Sequence, residues 1–245
     1  MSHTEKLHYL QRSTVPLPSS EILKRMGAQI LNLGSGSNSR VERIFLSLAQ
    51  TEDWPLPLIA SIDINPHVIQ RAKALLANPK TTHPHISLYE ADAIHLPFPD
   101  NTFTGIIATG LLEQITNKND RRQCVREICR VGRHRAQVFI SDTAYNPDDI
   151  SRYLEGYSQT GELGSFCPTL GRIVHHFTAE ELKKLLAPHI NIQGVQIIQI
   201  ETPVSNRLVP ALTTFGYKPL VPIPIETFTL APHLVATFQL DKRNS

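Results

Sequence analysis

A glycine turn and two strand-end carboxylates carry the chemistry in this 245-residue chain. Gly34-Ser35-Gly36 follows the apolar run Gln29-Ile30-Leu31-Asn32-Leu33 and precedes Val41, Ile44, Phe45 and Leu48, which recur at helical spacing. Glycines between a strand and a helix let the backbone approach a ligand, which then meets the N–H groups of the helix N-terminus. Taken alone, such a turn is equally well explained by chain geometry. Asp63 closes a second apolar run, Leu58-Ile59-Ala60-Ser61-Ile62, and a carboxylate there can accept both hydroxyls of a ribose. Asp92, in Glu90-Ala91-Asp92-Ala93 after a third run from Ile86 to Tyr89, can accept from an adenine amino group while a neighbouring amide donates to the ring. Each acid also has a plain reading as a turn or exposed strand-end residue. Their order, at successive strand ends, points to one nucleoside site, because open α/β sheets bind ligands beyond the carboxyl ends of their strands.

The elements that must hold these residues alternate. Asn65-Pro66 has the form of a cap and first residue of a helix, with Val68, Ala72, Leu75 and Leu76 on one face. Further strands are expected at Gly105 to Thr109 and Gln137 to Ser141, around a helix from Asn117 to Val131 that carries Val125, Ile128 and Cys129 inward. Thr178-Ala179-Glu180-Glu181 has the capping-box form. Strands alternating with helices imply an α/β fold, a Rossmann-like doubly wound sheet that is mostly parallel. The last candidate strands, Gly194 to Ile200 and His233 to Leu240, have no convincing helix between them and read as an antiparallel pair at the end of the sheet. The expected organisation is a single domain over 1–245, with a core over 28–143, a lid-like insertion over 144–177, and C-terminal elements with a second insertion over 178–240. The stretches Tyr145 to Phe177 and Thr202 to Pro232 are too long for simple connections, so they are expected to shape a pocket with Tyr145, Tyr153, Tyr157, Phe166, Phe215 and Tyr217.

Three segments in order resemble the class I S-adenosylmethionine-dependent methyltransferases: Ile30-Leu31-Asn32-Leu33-Gly34-Ser35-Gly36, Ile62-Asp63-Ile64-Asn65-Pro66, and the run from Asp92 through Leu96-Pro97-Phe98-Pro99 to Phe103. Gly110-Leu111-Leu112-Glu113-Gln114-Ile115 and Glu127-Ile128-Cys129-Arg130-Val131 are similar to later parts of that family, which here runs from Gln29 to Arg133. The resemblance implies a seven-stranded sheet with an antiparallel last strand, and S-adenosylmethionine as cofactor. It implies that Gly34 and Gly36 border the methionine part, Asp63 the ribose, and Asp92 with Ala93 the adenine, with Asn32, Ser35, Ile64 and Thr109 as further cofactor-binding candidates. The chain departs from the family at Asn32, where an acid is usual, and at Asn38, where a third glycine is common. Asn38 can take a positive φ more readily than most residues. Asn32 lacks the charge that would favour the cofactor's ammonium, so Asn32→Asp is expected to leave binding unchanged or tighten it. Val131-Gly132-Arg133-His134 is expected to shorten a surface loop.

Methyl transfer from a sulfonium needs alignment and exclusion of water more than it needs a metal, and alignment alone is worth roughly 7 to 11 kcal/mol. A hydroxyl or ammonium acceptor must also lose a proton, for which Glu113, Tyr145 and His176, with His175 beside it, are the candidates. Surface or structural histidines and a helix-entry acid explain these residues too. A zinc site from Cys167, His175 and His176 matches no standard ligand spacing. A nicotinamide-dependent oxidoreductase on the same fold is disfavoured, since no Tyr is followed four residues later by Lys and the full G-x-G-x-x-G is replaced. The remaining alternative is a non-catalytic cofactor-binding or partner subunit, which turnover to S-adenosylhomocysteine would separate from an enzyme.

Composition narrows the partners. A net charge of +2 spread along the chain offers no field for nucleic acid. The basic run Arg130, Arg133, His134, Arg135 reads as a solvated helix end. An odd count of 3 cysteines is a poor disulfide framework, and no apolar run approaches the roughly 18 residues of a membrane span. These features lead to expectations of a cytoplasmic protein, a small-molecule acceptor, and no nucleic-acid or membrane partner.

Overall fold

The computed structural model describes residues 16–51, 54–77, 84–166, 173–188, 196–200 and 233–242. The first element, helix α1 (Ser20–Arg25), was not expected from the sequence. The Ser19 side chain caps it by accepting from Ile22 N–H, and Leu23 and Met26 are buried beneath it. The apolar runs then become strands β1 (Gln29–Leu33), β2 (Leu58–Asp63), β3 (Ile86–Glu90), β4 (Phe103–Thr109) and β5 (Gly132–Thr143). Between them run helices α2 (Arg40–Thr51), α3 (Pro66–Leu76) and α4 (Lys118–Val131), and β8 (Gln196–Ile200) and β9 (His233–Gln239) complete the sheet. Its order is β3-β2-β1-β4-β5-β9-β8. The pairings among β1 to β5 are all parallel, and β9 runs antiparallel to both β5 and β8. This is a Rossmann-like α/β fold with a mostly parallel sheet. The final strand lies between β5 and β8 rather than at the edge. Because β1 is flanked by β2 on one side and β4 on the other, the chain reverses its direction of winding there, and that reversal opens a crevice at the carboxyl end of β1.

Both faces of the sheet are covered, as a parallel sheet requires. Alternate residues point to opposite sides. Leu31, Leu33, Ile106, Ala108, Val138 and Ile140 pack with Val125 and Ile128 of α4. On the other face Ile30, Ile59, Ile107 and Phe139 pack with Leu23, Val41 and Phe45. Asn65 caps α3 by accepting from His67 N–H, with Pro66 at the first turn. The buried face of that helix is Ile69 and Ala72, while Leu75 is 52% exposed, so the face read from Val68 and Leu75 is rotated by one position.

No loop separates α4 from β5. Gly132 ends the helix and already pairs with Phe103, so the expected shortened loop is abolished. Arg130 in the last turn is more than a solvated cation. It donates to Glu127, Asp100 and the carbonyls of Leu96 and Phe98, pinning the segment that enters β4. Cys129 is only half-buried, and Cys124 takes the inward position instead.

The described residues of the stretch Tyr145 to Phe177 are folded rather than irregular. They form a 3-10 turn (Pro147–Tyr153), helix α5 (Leu154–Thr160) and a short antiparallel pair of β6 (Ser165–Phe166) with β7 (Val174–His175). Helix α6 (Ala179–Leu186) then starts at the expected capping box, in which Thr178 Oγ1 accepts from Glu181 N–H and the Glu181 carboxylate accepts from Thr178 N–H. The start of the strand expected at Gly194, the stretch Thr202 to Pro232 with Phe215 and Tyr217, and Cys167 lie outside the described residues.

Candidate cofactor site

The glycine turn sits over the carboxyl end of β1. Gly34 and Gly36 have φ of +68° and +64°, a left-handed backbone that side chains with a Cβ resist. Ser35 N–H donates to Ile62 O at 2.8 Å, which ties the turn to β2. A Cβ at Gly34 would stand 3.2 Å from Leu111 Cδ1, whereas one at Gly36 would meet nothing within 4 Å. The Gly36 side of the turn is therefore open. The third left-handed residue is Ser39, at φ +46°, and not Asn38. The expectation for Asn38 is corrected by one position, immediately before α2 begins.

Asp63 faces this turn from the end of β2. Its Oδ2 accepts from Gly36 N–H at 3.2 Å and its Oδ1 from Asn65 N–H at 3.0 Å. Each oxygen keeps a further lone pair, and a carboxylate can use both. Ile64 follows with 63% of its surface exposed, an apolar side chain left bare beside a carboxylate. Ala91 N–H donates to Asp63 O at 3.1 Å, which brings the next segment alongside. There Asp92 Oδ1 accepts from Ile94 N–H at 3.0 Å, and Ala93 is buried. Thr109, half-buried, ends β4 opposite Ser141.

Beneath the turn lies a buried polar cluster that the sequence reading missed. Asn32 and Ser61 are register partners on β1 and β2, and both side chains reach Glu42 in the first turn of α2. Asn32 Nδ2 donates to Glu42 Oε1 at 2.7 Å, and Ser61 Oγ donates to the same oxygen. Glu42 is fully buried, and burial pushes its carboxyl pKa up against the opposing hydrogen bonds from Ser61 and Asn32. Asn32 Oδ1, Ser35 Oγ, Ser39 Oγ and Glu42 Oε2 are buried with no hydrogen-bond partner. Groups of this kind cost about 1 to 3 kcal/mol each when left unpaired. Two of them, Asn32 Oδ1 and Glu42 Oε2, can only accept, while the two hydroxyls can donate or accept.

The base candidates lie around the end of β5. Glu113 is buried, its Oε2 accepting from Thr143 N–H at 2.8 Å and its Oε1 from Gln114 Nε2 at 3.1 Å. Its own N–H donates to Asp142 Oδ1 at 3.0 Å. Glu113 is thus turned inward as a fastener between the turn after β4 and β5. Asp142 is fully buried, and burial together with the Glu113 charge raises its pKa well above the carboxylate range. His233, the β9 partner of Thr143, is buried with Nδ1 unpaired and its pKa lowered by burial. Asp142 and His233 were also missed. An acid in the otherwise apolar run that ends β5 was the available signal for Asp142.

Tyr145 is held by its N–H to Phe177 O at 2.8 Å, and its ring lies 4.6 Å from that of Tyr153. The Tyr153 hydroxyl is 3.0 Å from His176 Nδ1 and accepts from Asn146 N–H at 3.2 Å, with Phe166 beside His176 at 5.5 Å. Tyr157 does not join this cluster and is 52% exposed. His175 faces the other way, 3.7 Å from Glu162 and 3.9 Å from Glu181, and burial drives its pKa down to about 3. Arg121 locks this side. It is 3% exposed, pairs with Glu162, and donates to the carbonyls of Ile115 and Thr116 at 2.8 Å each. The insertion therefore packs on the turn that follows β4. Among the described residues no group of three or more His, Cys, Asp or Glu could hold a metal ion, and no helix is long and apolar enough to cross a membrane.

The site combines an open left-handed turn, a carboxylate across it, an exposed apolar residue beside that, and unpaired buried polar atoms below. A methyltransferase domain family matches residues 31–140. The O-methyltransferase resE of Aspergillus sclerotiorum is 25% identical over 200 residues, covering 78% of this chain and 71% of that protein. A SAM-dependent methyltransferase from Methanosarcina mazei superposes with a TM-score of 0.66 at 22% identity, over 92% of this chain and 99% of its own. A didemethyltoxoflavin N1-methyltransferase from Burkholderia thailandensis, solved with its acceptor and S-adenosylhomocysteine, superposes with a TM-score of 0.58 at 13% identity, over 98% and 80% of the two chains. Residues 31–140 thus match a methyltransferase domain family, on a Rossmann-like fold shared with the Methanosarcina mazei SAM-dependent methyltransferase.

Proposed function

We propose that this chain holds S-adenosylmethionine across the carboxyl ends of β1 to β4 and passes its methyl group to the hydroxyl oxygen of a small molecule. The observation that carries the cofactor assignment is the Asp63 carboxylate bridging Gly36 N–H and Asn65 N–H beside the open face of Gly36. Asp63 takes the ribose hydroxyls on its remaining lone pairs, Ile64 lies against the base, Asp92 and the Ala93 segment read the adenine edge, and Thr109 flanks the sulfur end. The oxygen acceptor follows from the resE relative, named an O-methyltransferase.

When bound, the cofactor supplies a methyl group on a positively charged sulfur that leaves as a neutral thioether. The protein's work is alignment, exclusion of water and removal of the acceptor's proton. Glu113 has both oxygens engaged and serves as a positioning residue. His176 takes the base role, with its ring oriented by the Tyr153 hydroxyl 3.0 Å from Nδ1. Tyr145 and Phe166 form the aromatic wall beside it. Small size of the acceptor fits this apolar wall and the absence of a strong basic surface in the composition.

The test is incubation of the full chain with S-adenosylmethionine and a panel of small phenols, alcohols and amines, with product masses and fragmentation read together. Methyl recovered on oxygen, with S-adenosylhomocysteine formed in equal amount, is expected. Methyl recovered on nitrogen would overturn the hydroxyl assignment.

A further inference from the structure

We propose that Glu42, which no motif marks, is the charge that holds the ammonium end of the cofactor, acting through Asn32 as a positioning residue. The inference rests on the S-adenosylmethionine reading of the site. Its basis is the pattern of paired and unpaired atoms below the glycine turn. An asparagine side chain can present either its NH2 or its oxygen to a neighbour. Glu42 settles the choice here, because a carboxylate only accepts and its Oε1 takes Asn32 Nδ2 at 2.7 Å. Asn32 Oδ1 is thereby left as the presented atom, buried and without a partner. Glu42 Oε2 is in the same condition, as are the hydroxyls of Ser35 and Ser39 on the turn itself. A ligand group that satisfies the two acceptor-only atoms, Asn32 Oδ1 and Glu42 Oε2, must donate hydrogen bonds and is favoured if it is positive, while the Ser35 and Ser39 hydroxyls can donate or accept. Of the groups on S-adenosylmethionine, the sulfonium donates none, and the ribose hydroxyls and the adenine are claimed by the β2 and β3 ends. The α-ammonium is both cationic and a donor.

Two further features hold the carboxylate in place for this role. Glu42 lies in the first turn of α2, where the helix dipole favours negative charge. Ser61 Oγ donates to the same oxygen as Asn32, so the side chain is clamped from both strands. The account also reverses the expectation for Asn32→Asp. An aspartate there would set a second carboxylate against Glu42 at about the spacing of a hydrogen bond, and like charges that close cannot both ionise. The acid is already present, displaced from the strand to the helix, and a cation bound beside it would favour its ionised form against the burial that raises its pKa.

The experiment is calorimetry of the full chain with S-adenosylhomocysteine, which carries the ammonium, and with 5′-methylthioadenosine, which lacks the amino-acid end. Wild type binding S-adenosylhomocysteine supports the cofactor reading itself, and failure there would overturn that reading separately. E42Q is expected to weaken S-adenosylhomocysteine roughly tenfold or more, the scale of a hydrogen bond to a charged group, while methylthioadenosine changes by less than about twofold. The exchange variant N32D/E42Q, which returns the charge to the strand, is expected to recover S-adenosylhomocysteine affinity to within about threefold of wild type. Equal loss of both ligands in E42Q would mean that Glu42 only braces the fold, and no loss of either would remove it from the site. Should E42Q not fold, N32D/E42Q carries the test alone. Recovery supports the inference, and loss of S-adenosylhomocysteine with methylthioadenosine retained overturns it.

Discussion

Gly36 and Gly161 share a backbone conformation and differ in what lies over them, which makes a controlled pair of substitutions. Their φ values are +64° and +69°, and a Cβ on either would meet no heavy atom within 4 Å. Alanine at either position therefore pays only for left-handed backbone, about 1 to 2 kcal/mol. For a protein of this size that lowers Tm by about 2 to 8 °C, at roughly 2 to 4 °C per kcal/mol. If the open space at Gly36 belongs to the cofactor, G36A adds a second cost that G161A lacks, because the new methyl group occupies the place of the ligand. S-adenosylhomocysteine affinity should fall by at least about tenfold, or 1.4 kcal/mol, in G36A and stay within about twofold of wild type in G161A. Thermal melts and calorimetry on both variants read the two costs separately. Equal Tm losses with equal, undiminished affinity would refute the reasoning, since the space over Gly36 would then be ordinary solvent.

Three further outcomes follow from the geometry. D63A should weaken S-adenosylhomocysteine by roughly 1.5 to 3 kcal/mol, the scale of hydrogen bonds to a charged group, and wild-type affinity in that variant would remove Asp63 from the ribose. His175, with a folded pKa of about 3 against an ordinary 6.5, contributes stability that is fully present above pH 6.5 and is lost as pH falls from 6.5 towards 3. At pH 5 the loss is about 2 kcal/mol, at roughly 1.4 kcal/mol per unit, so urea unfolding at pH 7.5 and pH 5 should show a smaller difference in His175→Asn than in wild type, and equal differences would contradict the burial argument. R121M should cost about 3 to 5 kcal/mol by leaving the Glu162 charge uncompensated, and an unfolding free energy within about 1 kcal/mol of wild type would show that the ion pair does not secure the insertion.

The legible parts of the fold were those written locally. Asn65-Pro66 and Thr178 to Glu181 specify helix starts through hydrogen bonds within a few residues, and both formed as read. The buried runs at Ile30, Ile59 and Ile106 announced strands because a parallel sheet is covered on both faces. Gly34 and Gly36 took the backbone that glycine permits. What escaped depended on distant partners. Glu42 reads in the sequence as an ordinary first-turn acid, and only the register of Asn32 against Ser61 shows it as the centre of a buried cluster. Glu113 read as a candidate base or a helix-entry acid, and only Thr143, 30 residues on, shows its carboxylate engaged. Leu75 and Val68 suggested one face of α3, but docking against the sheet chose Ile69 and Ala72. The insertion gave the least signal, since its order comes from Arg121 and Glu162, which are 41 residues apart.

The most direct test of the account is titration of the full chain with S-adenosylhomocysteine and, separately, with NAD, each followed by calorimetry. The crevice at the end of β1 predicts saturable binding of S-adenosylhomocysteine at one site per chain and no heat of binding from NAD. Saturable binding of NAD with no response to S-adenosylhomocysteine would contradict it.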